Sequence, residues 1–223
     1  EPSASVMGWA AFWFLVALPF VLWGLRTINR RRAADPAWLP MVALVGSAVF
    51  VVSCMPVPIP WVGTCSHPCG TGLGALLIGP GPTVVVASIA LVFQALFLAH
   101  GGLTTLGANI VSMGVVGAYA AYGTFHLLGK LRMPVLFAAM AAGLVSDWAT
   151  YAMTSFELAS GLPHDVSLGA MFLTILVAFV PTQVPVGIAE AVVTGMAHRF
   201  VLTRRPELFG LSSWGQPAVE NDL

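Results

Sequence analysis

Long apolar stretches recur along the chain, each closed by a short polar or Gly/Pro-rich break. This rhythm predicts helices at about 7–26, 39–56, 71–80, 83–100, 107–129, 134–159 and 168–200. Most approach the roughly 20 residues needed to cross the hydrocarbon core of a bilayer. The stretch from Thr71 to Gly79 does not: at about 1.5 Å per residue it reaches less than half way. It predicts a half-helix that continues an irregular loop and is closed by Gly79-Pro80-Gly81-Pro82. Pro181 and Pro185 each remove a backbone donor, so the last segment is expected to bend at one of them.

Composition turns this pattern into a solvent assignment. Of 223 residues 58% are apolar and 8% charged, against roughly 25% charged in a soluble domain. Such a chain cannot solvate an ordinary surface, and lipid is its solvent. Three cysteines are too few for a disulfide framework. The few basic residues form no broad patch beside stacking aromatics, which argues against nucleic acid. The one lysine, Lys130, is followed by Leu131, so there is no Gly-Lys-Ser/Thr loop and no ATP hydrolysis by that route. The sequence opens at Glu1, which implies residues removed or left out upstream.

Charge placement orients the segments. Arg26, Arg30, Arg31 and Arg32 follow the first, Lys130 and Arg132 separate the fifth and sixth, and Arg199, Arg204 and Arg205 close the last. Basic residues stay on the cytoplasmic side of short loops. Seven crossings, counting the half-helix, satisfy all of them with the amino end outside and the carboxyl end inside. The expected fold is therefore an all-α polytopic membrane protein. Residues 1–205 form one bundle, and 206–223 form a polar cytoplasmic tail. Loops 57–70, 100–106 and 157–167 become extracytoplasmic, and they carry Cys65, His67, Cys69, His100, Glu157, His164 and Asp165.

The chemistry concentrates in "TCSHPCGTGLG", residues 64–74. Imidazole is the commonest protein ligand for transition metals, and thiolates add softer donors. Cys65, His67 and Cys69 alternate, so an extended loop would aim all three one way. A disulfide between Cys65 and Cys69 in an oxidising compartment, with His67 a bystander, accounts for the same spacing. Polar groups also stand at membrane depth: Gln94, Asn109, Asp147, Thr150, Gln183 and Glu190. Such groups face a bundle interior or cavity. Asp147 and Glu190 read as a gate, relay or partner of the site, or as helix-to-helix hydrogen bonds; Gln94, Asn109 and Gln183 read as loop supports. Small residues at Gly114, Gly117, Ala118, Ala120 and Ala121, and from Ala138 to Gly143, predict close internal helix packing. Trp9, Trp13, Trp23 and Trp61 suit interfacial belts.

The strings "GTCSHPCGTGLGALLIGPGPTVVVASIALVFQALFLAHGGLTTLGANIVSMGVVG" (63–117), "SDWATYAMTSFELA" (146–159) and "PTQVPVGIAEAVVTG" (181–195) resemble the CbiM family. That family provides the substrate-specific membrane component of energy-coupling-factor cobalt and nickel transporters. The likeness runs from the first helix to about Phe200. It implies a seven-helix bundle in a prokaryotic cytoplasmic membrane, capturing Co(II), or alternatively Ni(II), on its outer face. The implied partners are a transmembrane coupling subunit, cytoplasmic ATPase subunits and a small accessory membrane protein, with no organic cofactor and no catalytic residue.

The family's metal site uses a Met-His amino terminus and a loop histidine. Only the latter has a counterpart here, His67, and "EPSAS" looks like what would follow Met-His-Ile. Where the family more often has Ser or Thr, this loop has Cys65 and Cys69, which are either further ligands or an inert pair. Nitrogen-rich donor sets suit Ni(II), Cu(II) and Co(II); "SHPCGTGLG" is closer to the cobalt branch. Two other classes compete: a membrane thiol oxidoreductase using Cys65 and Cys69, and a carrier of an organic vitamin, which needs an apolar-walled pocket.

Overall fold

The structure, a computed structural model, describes residues 4–55, 57–59, 64–98, 100–162 and 165–205. Among these residues seven helices form: α1 (Ala4–Ala34), α2 (Trp38–Ser53), α3 (Thr71–Ile78), α4 (Pro80–Phe97), α5 (Leu106–Lys130), α6 (Val135–Gly161) and α7 (Leu168–Arg204). Between α2 and α3 a short antiparallel ribbon pairs β1 (Val57–Ile59) with β2 (Thr64–Ser66). Five helices are long and apolar enough to cross a membrane; α2, at 16 residues, is a shorter apolar helix. The half-helix is present as α3, 8 residues long. The tail 206–223, Trp61 and His164 lie outside the described residues.

Some helix ends differ from expectation, for local reasons. The break between α3 and α4 is Gly79 alone (φ 87°, ψ 159°), and α4 begins at Pro80. Pro80 and Pro82 belong to the first turn, where a backbone N–H has no helical partner to lose and the fixed φ suits a helix. Pro181 and Pro185 do not end the last helix: α7 runs through both to Arg204. Glu157 was expected in a loop, but α6 continues to Gly161 and buries it. Trp13 was expected at an interface, yet it is a core residue at 5% exposure.

Burial is inverted relative to a soluble protein. Leu15, Leu44 and Phe97 point outward at 69%, 69% and 74% exposure, whereas Gln94, Asp147 and Glu190 are buried. Lipid is the solvent in which that arrangement costs least. The small-residue faces pack internally: Ala118 and Ala121 of α5 meet Ala138, Ala139 and Ala142 of α6 in one buried cluster.

The chain ends of the helices sort into two groups. At one end the Trp9 indole donates to Ser160 Oγ at 3.1 Å, joining the start of α1 to the end of α6. At the other end Arg31 lies 4.7 Å from the Trp38 ring centre, and His198 of α7 packs on Phe125 of α5. All nine basic residues belong to this second end. The ribbon and the His100 loop belong to the first.

One feature of α5 has no counterpart in the sequence pattern. Residues Ile110–Gly117 form a π-helical stretch. At its end the Gly117 carbonyl accepts from Ser146 Oγ at 3.0 Å, and a Cβ on Gly117 would stand 2.5 Å from Thr150 Oγ1. Only glycine lets α5 approach α6 so closely here.

Candidate metal centre

After β2 the chain turns inward through His67, Pro68, Cys69 and Gly70 to reach α3. Gly70 adopts φ +69°, and a Cβ there would press on Val49 Cα at 3.2 Å. That left-handed conformation favours glycine. The descending backbone must satisfy its donors inside the bundle, and it does so with two side chains, one from α6 and one from α7, while a third from α7 bonds the Ser66 hydroxyl.

Tyr151 of α6 holds His67 from both sides. Its hydroxyl accepts from the His67 N–H at 2.8 Å and donates to the His67 carbonyl at 3.1 Å. Glu190 of α7 holds the next two residues, accepting from Cys69 N at 2.7 Å and Gly70 N at 2.9 Å. These amides open α3, so a carboxyl group from another helix occupies the anion-favouring end of the half-helix. Gln183 of α7 donates to Ser66 Oγ. The loop is thus anchored residue by residue from Ser66 to Gly70.

The His67 ring follows from that anchoring. Its Nδ1 lies 3.0 Å from the Pro68 carbonyl. A carbonyl only accepts, so Nδ1 carries the proton and Nε2 keeps its lone pair, the arrangement that orients and strengthens a metal-binding imidazole. His100 stands beside it, with ring centres 4.8 Å apart and planes at 71°. Burial, opposed by the Pro68 carbonyl and helped by the nearby His100, lowers the His67 pKa from 6.5 to about 4; burial also lowers His100. His67 is therefore neutral at physiological pH, ready to donate without first losing a proton.

The remaining expected site residues fall around this centre. Gln94 donates to Ser53 Oγ at 2.7 Å and to the Ser53 carbonyl at 3.2 Å, tying α4 to the end of α2. Beside it a cavity of about 170 Å³ is lined by Ser53, Cys54, Gln94, Leu98 and His100. Since one water occupies about 30 Å³ of liquid, the cavity has room for a few waters next to the His100–His67 pair. Asn109 donates to Thr105 Oγ1 at 3.5 Å, a bond internal to its own turn. Cys69 carries a free, buried thiol, so it is not an inert half of a disulfide. Cys69 joins Asp147 and Glu190 in one cluster, and His67 is not a member of it. Cys69 is thus not grouped with His67, since β2 ends at Ser66 and the alternating spacing assumed an extended chain through Cys69. The Cys65 side chain lies outside the described residues.

Tyr151 escaped the sequence reading. Its signal was its spacing from Asp147: four residues along α6 put both on one helix face. Tyr151→Phe strands the His67 N–H and loosens the ring. Co(II) affinity is expected to fall roughly 10–100-fold, the cost of losing a partner behind a ligand, measured by calorimetric titration of the purified protein.

The pH response follows from the His67 shift. A histidine whose folded pKa lies below its unfolded value stabilises the fold fully above about pH 6.5. That contribution disappears as pH falls through about 4. At pH 5.5, nitrogen NMR of histidine-labelled protein is expected to show His67 as the neutral Nδ1–H form.

A family model described as "Cobalt uptake substrate-specific transmembrane region" matches residues 6–208. A cobalt transport protein CbiM of Sorangium cellulosum is 52% identical over 202 residues, covering 91% of this chain and 90% of that one. One from Geobacter sulfurreducens is 48% identical, covering 91% of this chain and 58% of the relative. The crystal structure of a transition metal transporter superposes with a TM-score of 0.77 at 25% identity, over 91% of this chain and 92% of the other. A truncated transition metal transporter superposes with the same TM-score. With a family model spanning nearly the whole bundle and relatives of this identity, the chain belongs to the CbiM family.

Proposed function

We propose that this chain is the ion-capturing membrane component of an energy-coupling-factor importer and that its cargo is Co(II). One observation carries the reading: His67 is clamped at both backbone polar groups and hydrogen-bonded through Nδ1, leaving a neutral Nε2 donor at the end of the bundle away from every basic residue. The positive-inside rule puts the basic end in the cytoplasm and the His67 end outside. An incoming ion would meet the cavity beside His100 first and then the His67 lone pair. A Met-His amino terminus preceding Glu1, as the family resemblance implies, would complete a nitrogen-rich set around the ion. Cobalt is favoured over nickel because relatives 52% and 48% identical to this chain are named cobalt transport proteins.

Energy for release would come from partners: a coupling subunit, an ATPase pair and a small accessory membrane protein in the cytoplasmic membrane. The chain's own residues capture and hold the ion. Residues 206–223 would form a cytoplasmic tail.

The test is reconstitution in cells that lack cobalt uptake. The chain with its native upstream residues, expressed with all partners, is expected to accumulate radiolabelled cobalt, and omitting the ATPase pair should return accumulation to background. A large excess of nickel should leave uptake unchanged; strong competition would reassign the cargo to nickel. Uptake that ignores the ATPase pair would overturn the energy-coupled reading.

A further inference from the structure

Beneath the His67 loop lie three donor groups that ion capture does not use. Cys69 Sγ, a carboxylate oxygen of Asp147 and one of Glu190 all lie within 4.8 Å of one another, and all three residues are buried. Cys69 Sγ is 3.9 Å from Asp147 Oδ1. The second oxygen, Asp147 Oδ2, is buried and has no hydrogen-bond partner, in a residue with 0% exposure. The α7 backbone closes this side, since a Cβ on Gly187 would stand 3.0 Å from Oδ2.

Two carboxyl groups and a thiol confined together repel one another when ionised, and a buried oxygen without a partner is costly. A divalent cation offsets both. Donors at about 2.0–2.3 Å from a first-row ion stand roughly 3.3–4.5 Å apart, close to the spacing already present. Glu190 keeps its two amide bonds in such a site, because a carboxylate has about four acceptor positions. Calcium and magnesium take sets made wholly of oxygen, whereas one sulfur with two carboxylates suits a borderline ion.

We propose that Cys69, Asp147 and Glu190 form a second, buried divalent-cation site that takes a thiolate-tolerant first-row ion such as Co(II). It lies about one helical turn further into the bundle than the His67 centre. Tyr151, which grips His67, and Asp147, which faces Cys69, are four residues apart on α6, about 6 Å along its axis. The site rests on the capture reading only for the choice of ion. An ion that has passed His67 would find there the next set of donors on the way inward.

The full chain in lipid nanodiscs, titrated with Co(II), tests this. A thiolate-to-cobalt charge-transfer band in the near ultraviolet reports the inner site. Bound cobalt per protein, by plasma mass spectrometry, reports both sites. The wild type and His67→Ala are expected to show the band, the latter with one ion fewer. Cys69→Ser should lose it, and Asp147→Asn should need at least tenfold more cobalt to reach it. Absence of the band in the wild type, or its survival in Cys69→Ser, overturns the site. If Cys69→Ser does not fold, Asp147→Asn decides: an unchanged titration overturns the site. Failure of the capture reading looks different, since then His67→Ala would leave the stoichiometry unaltered.

Discussion

Changing His67 to alanine is expected to lower Co(II) affinity at the outer, His67 centre by more than about 100-fold and to bring cellular accumulation to background. Loss of a partner behind a ligand costs roughly 10–100-fold, and loss of the ligand itself exceeds that. The fold should survive, because what anchors this stretch is the His67 backbone. Its N–H and carbonyl both bond Tyr151, and neither bond involves the imidazole. Isothermal titration together with thermal unfolding separates the two effects: the binding step of the His67 centre is lost while the melting temperature moves little. A titration unchanged in both affinity and number of ions would mean that the captured ion is held elsewhere.

Glu190→Ala should produce the opposite profile, a stability loss that takes metal binding with it. Glu190 accepts from two successive amides at the entrance of α3, and it comes from a residue 120 positions further along the chain. Its removal leaves both N–H groups buried without a partner, at about 1–3 kcal/mol each. The total, roughly 2–6 kcal/mol, is comparable with the whole stability of a typical domain, about 5–15 kcal/mol. The descending loop would come off α7, and His67 would lose its position. Glu190→Gln, which keeps one acceptor oxygen, should retain part of both properties. Denaturant unfolding in detergent and cobalt titration of the three proteins check the order: wild type, Gln, Ala.

These two residues also show how far the sequence could be read. His67 was legible because its chemistry is local: a His-Pro pair in a polar loop between apolar segments singles itself out. Glu190 was visible only as an ionisable group at membrane depth, which announces importance but not a partner. Its partner proved to be the backbone of the very loop that carries His67. Asp147 gave the same general signal, and its pairing with Cys69 could not be anticipated. The alternating Cys-x-His-x-Cys spacing assumed an extended chain as far as Cys69, whereas β2 ends at Ser66 and Cys69 groups with Asp147 and Glu190. Pro181 and Pro185 do not interrupt α7, because local breaking tendencies yield when a long helix is held along its length by a neighbour. Here α6 packs along α7, and the Trp148 indole donates to the Gln183 carbonyl between the two prolines.

By itself the sequence determined the solvent, the number and order of the helices, the half-helix and the grouping of basic residues, because hydrophobic length and charge placement are properties of segments; it did not fix every length, since α1 runs on through its arginines to Ala34. Tertiary structure alone decided which buried polar groups meet. Helices in lipid are free to rotate about their axes and shift in register until small residues such as Gly117 and Gly143 let backbones close together. Only that final packing brings Tyr151 to His67, Glu190 to Gly70 and Asp147 to Cys69, and no periodicity within one helix encodes it.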